Sequence, residues 1–199
     1  MSDYYEANAD EFFTSTKDVD MSPLYEKFLP HIPKGGHILD AGCGSGRDSK
    51  YFLDQGYKVT AIEPAEALRK LASEFIRQPV EQRTFQEINE QETYDGIWAC
   101  ASLLHVPRSE LNEVFEKLFS ALKPRGVLYC SFKYGEIERE KEGRFFNDMN
   151  KKLLRKLINH CGIYVEILST WVTDDRRSFK RSEQWVNALI VKTDYHKLY

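Results

Sequence analysis

Asp40 followed by Gly42, Gly44 and Gly46 at every second position, within the stretch ILDAGCGSG, is the part of this sequence best suited to chemistry. An apolar run that ends in an acid and then in alternating glycines reads as a strand entering a tight turn before a helix. Glycine accepts backbone angles closed to other residues and lets a ligand approach the main chain with no Cβ in the way. A turn built like this can cradle a nucleoside. Its spacing, G-x-G-x-G with an acid two residues ahead, differs from the dinucleotide fingerprint G-x-G-x-x-G, whose third glycine comes one residue later. That difference disfavours NAD. Glu63, 23 residues beyond Asp40, closes the β-rich run 57–62. An acid at the tip of the next parallel strand can accept both ribose hydroxyls on its two carboxylate oxygens. A solvated loop acid is the competing reading of Glu63 alone; within one β-α-β unit the turn and the acid reinforce each other.

The elements that must position these residues follow from periodicity and punctuation. Residues 37–40 form the first strand, 47–54 the first helix, and Gln55-Gly56 ends that helix. Residues 66–75 carry Ala67, Leu68, Leu71, Ala72 and Phe75 on one helical face, closed by Gln78-Pro79. A third strand is expected over 80–85. The run 94–101, interrupted by Asp95 and Gly96, has the continuous apolar character of a strand buried on both faces. Residues 111–122 repeat apolar side chains at helical spacing, and Lys123-Pro124-Arg125-Gly126 turns them into a strand over 127–132. The charge-rich 134–147 reads as an excursion loop, 148–160 as a helix, and 163–172 and 184–192 as two strands around 173–182. Ahead of all this lies an aromatic, acidic segment with helical spacing over 22–29, closed by Pro30 and Pro33.

Alternating strands and helices imply a mostly parallel sheet with helices on both faces, and such sheets bind ligands at the carboxyl ends of their central strands. Asp40, Glu63, 85–87 and 99–105 all fall there. The last two strands are joined too briefly for a helical crossover and should form an antiparallel hairpin at one edge.

Composition narrows the function classes. With 199 residues the chain suits one domain with a full core. Lys plus Arg number 28 against 31 Asp plus Glu, a formal charge of −3, so no global basic field points to nucleic acid. The four cysteines, Cys43, Cys100, Cys130 and Cys161, form no C-x-x-C pair, which suggests neither a metal site nor a disulfide framework. The N-terminus lacks an apolar leader core, and no window approaches the ~20 apolar residues of a membrane span. A cytoplasmic protein with reduced thiols is the expectation. No motif encodes its oligomeric state.

Taken together, ILDAGCGSGRD (38–48), VTAIEPA (59–65), YDGIWACASLLHV (94–106) and ALKPRGVLYCSF (121–132) resemble the class I S-adenosylmethionine-dependent methyltransferases. Within them the chain looks most like the small bacterial enzymes labelled as tellurite-resistance or ubiquinone-biosynthesis-type methyltransferases. The resemblance spans roughly Tyr4 to Lys192. It implies an α/β fold with a Rossmann-like, seven-stranded, mostly parallel, doubly wound sheet and a C-terminal antiparallel hairpin, forming a single domain over 1–199 with an N-terminal lid or helical cover, 1–36, on a Rossmann-like core, 37–199. It also implies S-adenosyl-L-methionine as cofactor and S-adenosyl-L-homocysteine as product. Asp40 and the backbone of Gly42, Cys43, Gly44 and Gly46 would hold the methionine end, Glu63 the ribose, and Pro64 would lie against the adenine. Gln86, with Glu87 beside it, stands where many relatives place an adenine-binding Asp, and an amide oxygen can accept the same bond. The backbone at Cys100 and Ala101 would meet the amino-acid portion. Arg47 would approach the cofactor carboxylate, with a solvated helix-start arginine as the alternative.

Methyl transfer from a sulfonium requires in-line approach in a dry pocket, so positioning can supply much of the catalysis. His105, just beyond the fourth strand, is the candidate base, against a structural histidine bonded to backbone. Ala99-Cys100-Ala101-Ser102 lacks the Asn/Asp-Pro-Pro-aromatic pattern of amino-group methylation, and Cys100 lacks the Pro-Cys context of a covalent nucleophile. The acceptor, expected to be a small molecule, is selected by the covers: the N-terminal segment with Tyr5 and Phe12 as its closing residues, 133–147, and 173–185. If two of Arg144, Arg176, Arg177 and Arg181 point inward, an anionic substrate is favoured. The alternative is a solvated loop in which they meet Glu136, Glu138, Glu140 and Glu142. Trp171 and Trp185 read as packing residues. Two rival functions share the motifs: an NAD-dependent oxidoreductase, and a non-catalytic S-adenosylmethionine-binding regulatory protein.

Overall fold

Consecutive residues of the central strands point to opposite faces of one sheet, and both faces are covered. The computed structural model describes residues 2–177 and 183–193. The elements run α1 (Ser2–Ala7), α2 (Ala9–Thr16), α3 (Ser22–Phe28), β1 (His37–Ala41), α4 (Arg47–Asp54), β2 (Lys58–Ile62), α5 (Glu66–Ile76), β3 (Tyr94–Ala99), α6 (Leu111–Ala121), β4 (Leu122–Lys133), β5 (Glu138–Lys141), β6 (Arg144–Asn147), α7 (Lys151–Asn159), β7 (Val165–Asp174) and β8 (Gln184–Lys192). The main sheet has the order β2-β1-β3-β4-β8-β7. Its first four strands are parallel, and β8 and β7 join antiparallel, as the short 173–182 connection requires.

Leu39, Ile97 and Leu128 send their side chains into a core with Phe115, Leu118 and Phe119 of α6 and Ile158 of α7. Their neighbours Ile38, Trp98 and Tyr129 point the other way, onto Phe28 of α3 and Phe52 of α4. This two-sided burial is why 94–99 is apolar almost throughout. The two exceptions have causes. A Cβ on Gly96 would lie 2.5 Å from Ile32 Cδ1 and 2.7 Å from Phe28, so the chain after α3 can cross β3 only over a glycine. Asp95 accepts the His37 amide and the Lys123 ammonium, tying three strand starts together.

Two sequence expectations are corrected. Among the described residues the sheet has six strands, not seven: of 80–85 only Glu81 pairs, as a single bridge to Ile62. Thr84 and Glu87 then close a capping box over a 3-10 turn, Phe85–Glu87, which draws the chain off the edge. The 134–147 excursion is not a loop but the hairpin β5–β6. In the N-terminal cover, α1 and α2 lie on α5, where Ala9 packs with Ala65 and Leu68, flanked by Tyr5, Phe12 and Phe13. The Glu6 carboxylate of α1 caps the start of α5, accepting the amides of Glu66 and Ala67. No helix of the described residues is long and apolar enough to cross a membrane.

Candidate active site

The carboxyl ends of β1, β2 and β3 bring the glycine turn, Glu63 and the 100–105 segment to one crevice, which α1, α2 and the β5–β6 hairpin roof over. It holds two cavities, of about 300 Å3 and about 150 Å3, whose common wall includes Tyr5, Phe12, Gly42, Gly44, Ala101 and His105. The larger continues past Glu63, Pro64 and Gln86. The smaller continues past Cys43, Arg47 and Cys100 toward Arg144, Phe146 and Trp185. Asp40, Gly46 and Glu87 line neither cavity.

Space, more than amide donors, is what the turn offers. The amides of Gly42 and Cys43 already bond the Ile62 carbonyl, and that of Gly44 bonds Glu63 Oε2 at 3.1 Å. Gly42 has φ +79°, and a Cβ there would lie 2.6 Å from Ser102 Cβ. Glu63 reaches back from the tip of β2 to take the Gly44 amide on one oxygen and the Ala65 amide, at 3.0 Å, on the other. Burial pushes its carboxyl up to about 7, against the pull of those two amides. A buried acid with two weakly supported oxygens on a cavity wall is suited to accept further donors.

Beneath the turn lies a polar network that the sequence reading passed over. Asp48 accepts Arg47 twice, at 2.7 and 2.8 Å, the Trp98 indole at 2.8 Å and the Tyr25 hydroxyl at 2.5 Å. Burial opposes its charge, but Arg47 and the two neutral donors hold it below the usual carboxylate range. Asp40 accepts Ser49 Oγ at 2.6 Å and is pushed up by burial first and by the Asp48 charge second. Asp40 thus braces the start of α4 from below instead of entering a cavity. Arg47 lines the smaller cavity while its fork is spent on Asp48. The only sequence hint of this network was a tryptophan inside the apolar 94–99 run.

Gln86 does reach the larger cavity; its amide nitrogen donates to Glu110, leaving the carbonyl oxygen as the acceptor. Glu87 lies beside Gln86 but off both cavities, its carboxylate taking the amide and hydroxyl of Thr84. Ala101, at φ +53°, donates its amide to Ser131 Oγ at 2.8 Å. Burial pushes the Cys100 thiol up to about 12, which leaves no thiolate near neutral pH.

His105 is bonded at both nitrogens. Nδ1 lies 2.7 Å from the Phe145 carbonyl, which only accepts, so Nδ1 carries the proton. Nε2 is therefore the acceptor of the Tyr5 hydroxyl, at 2.8 Å. Burial lowers His105 to about 4 against the backbone bond, with Arg144 adding to the fall, so the ring is neutral at physiological pH. Burial likewise pushes Tyr5 up to about 12 while Arg144 pulls it back. The expected backbone bond of a structural histidine is present, and so is a second bond aimed at the roof of the site.

Of the cover arginines, Arg144, Arg176 and Arg177 all line the smaller cavity, and Arg181 lies outside the described residues. The solvated-loop alternative is corrected for Arg144, which is 9% exposed. Glu136 and Glu138 are bonded instead to Asn150 and to the Arg108 amide. Arg108 also binds Asn147 and the Asp148 carbonyl, pinning the hairpin beside His105. Trp171 packs against Tyr129, whereas Trp185 lines the cavity. Among the described residues no three His, Cys, Asp or Glu side chains are grouped to hold a metal ion.

Comparison with known proteins agrees with this geometry. A family model described as "Methyltransferase domain" matches residues 13–160. The chain is 31% identical to "Putative methyltransferase YqeM" of Bacillus subtilis over 53% of its own length and 47% of that protein, so it spans about half the length of this relative. It is 25% identical to an uncharacterized methyltransferase of Staphylococcus carnosus, over 70% and 69% of the two chains. Among solved structures, the 1,6-didemethyltoxoflavin-N1-methyltransferase of Burkholderia thailandensis, with bound 1,6-didemethyltoxoflavin and S-adenosylhomocysteine, superposes with a TM-score of 0.80 at 20% identity, covering 97% of this chain and 87% of that one.

Proposed function

The chain belongs to the methyltransferase-domain family, and from that premise we propose that it moves the methyl group of S-adenosyl-L-methionine onto a small-molecule acceptor by direct in-line displacement. The observation that carries the reading is Glu63: a buried carboxylate at the tip of β2, bonded across to the Gly44 amide and exposed along one edge to a cavity of about 300 Å3. Two ribose hydroxyls are the donors that such a pair of oxygens lacks. Gly42 supports the fit, since its missing Cβ, which would lie 2.6 Å from Ser102 Cβ, lets the turn pack against the 100–105 segment that forms the other wall of the crevice. Pro64 and the Gln86 carbonyl oxygen supply an apolar wall and an acceptor for an adenine, and Gly42–Ser45, Arg47, Cys100 and Ala101 form the opposite end for the amino-acid portion.

When bound, the cofactor supplies an electrophilic methyl group and leaves as S-adenosyl-L-homocysteine. The chain's own part is to orient and to exclude water. Tyr5 and Phe12 close the junction of the two cavities, which supports reading 1–36 as a lid on the core 37–199 of a single domain. Tyr5 Oη, whose proton is held by the neutral His105 Nε2 at 2.8 Å, keeps its oxygen lone pairs free to accept from and orient the nucleophilic group of an acceptor. The smaller cavity, about 150 Å3 and roofed by the hairpin, suits a compact acceptor.

The test is calorimetry with S-adenosylhomocysteine and with NADH, followed by methyl release from labelled S-adenosylmethionine in the presence of small metabolites. Binding of the sulfur nucleoside with turnover is expected. Tight NADH binding without it supports the oxidoreductase instead, and binding without turnover supports a regulatory protein.

A further inference from the structure

The smaller cavity is walled by a buried guanidinium that keeps one N–H without an acceptor. Arg144 is 9% exposed, its guanidinium lies 4.1 Å from the Tyr4 ring, and its Nε has no hydrogen-bond partner among the described residues. Three other cations of this wall are paired with acids: Arg47 with Asp48, Lys133 with Glu183, and Arg177 with Asp175. Arg144 is paired at Nη2 with Glu142, whose side chain is 58% exposed on the hairpin turn. A buried guanidinium N–H without an acceptor is costly, and the geometry it offers beside Nη2 is the fork that a carboxylate fills with two bonds. Around it stand aromatic surfaces, Phe146, Tyr5 and Trp185.

Resting on the methyl-transfer reading of this site, we propose that the acceptor carries a carboxylate, received by the Nε edge of Arg144, with its body against Phe146 and Trp185. Glu142 is displaced or shares Nη2 when the acceptor binds. Arg144 lies on the hairpin side of the smaller cavity, across from the 42–47 turn that lines its other side, and the S-adenosylhomocysteine arm of the test assigns it to the acceptor or to the cofactor.

The experiment uses the full chain saturated with S-adenosylhomocysteine and titrated calorimetrically with benzoate and, separately, benzamide. Benzoate should bind at least about tenfold more tightly, the share of one charge-assisted pair. Arg144→Gln should remove that preference with S-adenosylhomocysteine affinity unchanged, and Arg144→Lys should keep part of it. Should Arg144→Gln unfold, the wild-type preference and the lysine variant decide. Equal binding of the two probes, no binding of either, or a preference that survives Arg144→Gln overturns the proposal. So does a loss of S-adenosylhomocysteine affinity in Arg144→Gln, which would give the arginine to the cofactor. A wild-type protein that fails to bind S-adenosylhomocysteine at all refutes the cofactor assignment itself, a result read before any benzoate is added.

Discussion

Affinity for S-adenosylhomocysteine should rise with pH, because the ribose hydroxyls need Glu63 as a carboxylate and burial holds its carboxyl up near 7. The sign follows from linkage: a ligand that binds the ionised form lowers the pKa on binding, so affinity climbs up to about pH 7 and levels above it. At pH 5.5 about 3% of the protein carries the charged form and at pH 8.5 about 97%, so the apparent Kd should fall ~30-fold, ~2 kcal/mol, between them. Ligand-free stability should move oppositely. The folded-state pKa lies above the unfolded value of 4.5, so the contribution of Glu63 is complete below about pH 4.5 and lost as pH rises through about 7. Glu63→Gln should bind ~1.5–3 kcal/mol more weakly and without this slope, because the amide keeps one acceptor oxygen and turns a donor toward an amide N–H. Isothermal titration at six pH values on both proteins is the assay. Asp40, also pushed up by burial, is present in both, so any slope left in the variant is its own. A flat profile in the wild type, or the same slope in Glu63→Gln, refutes the assignment of Glu63 to the ribose.

Gly42→Ala should cost about 2–4 kcal/mol in chemical denaturation and abolish S-adenosylhomocysteine binding, since the new Cβ combines left-handed strain with a 2.6 Å clash on Ser102. Asp48→Ala should cost about 3–5 kcal/mol by thermal unfolding, leaving Arg47, Trp98 Nε1 and Tyr25 Oη without their shared acceptor. Tyr5→Phe should lower stability by only about 0.5–1.5 kcal/mol, while turnover falls at least about tenfold at unchanged S-adenosylhomocysteine affinity, because the acceptor loses the hydroxyl that orients it. Arg108→Ala should speed amide exchange across 136–148, the hairpin it pins through Asn147 and the Asp148 carbonyl, and leave cofactor binding as it was.

What could be read from the sequence divides along a physical line. Strands and helices whose own periodicity decides their state, such as 47–54, 66–76 and 111–121, are legible almost to the residue. The strand tips that carry Glu63 and Ala101 are legible for the same reason, because a parallel sheet sends every carboxyl end to one side. The failures lie where a distant partner decides. Residues 80–85 have strand-like composition, but as an edge they have pairing on one side only, and the local bond of Thr84 to Glu87 outcompetes the ladder. The charges of 134–147 hide a hairpin whose cross-strand pairs, Glu138 with Asn147 and Lys141 with Arg144, have no alternating apolar face to announce them.

The same division explains why the cofactor end of the site could be read and the acceptor end could not. Glycines and an acid at strand tips are local statements about backbone space. The worth of an arginine depends on which acids fold beside it, and a sequence that offers Glu136, Glu138, Glu140 and Glu142 next to Arg144 suggests neutralisation on a solvated face. Folding sends two of those charges elsewhere and leaves Glu142 on Arg144 Nη2, at the exposed turn of the hairpin. Glu138 and Glu136 are taken by the Arg108 amide and Asn150, and the Phe145 carbonyl accepts from His105 Nδ1, so the strand that carries Arg144 is drawn under the roof. Alternation along β6 then puts Arg144 and Phe146 on one face, against the same cavity. An equal balance of charge in sequence thus becomes a buried cation beside Tyr5 and His105, and the residues that recognise the acceptor are set by pairing across forty residues instead of by any motif of their own.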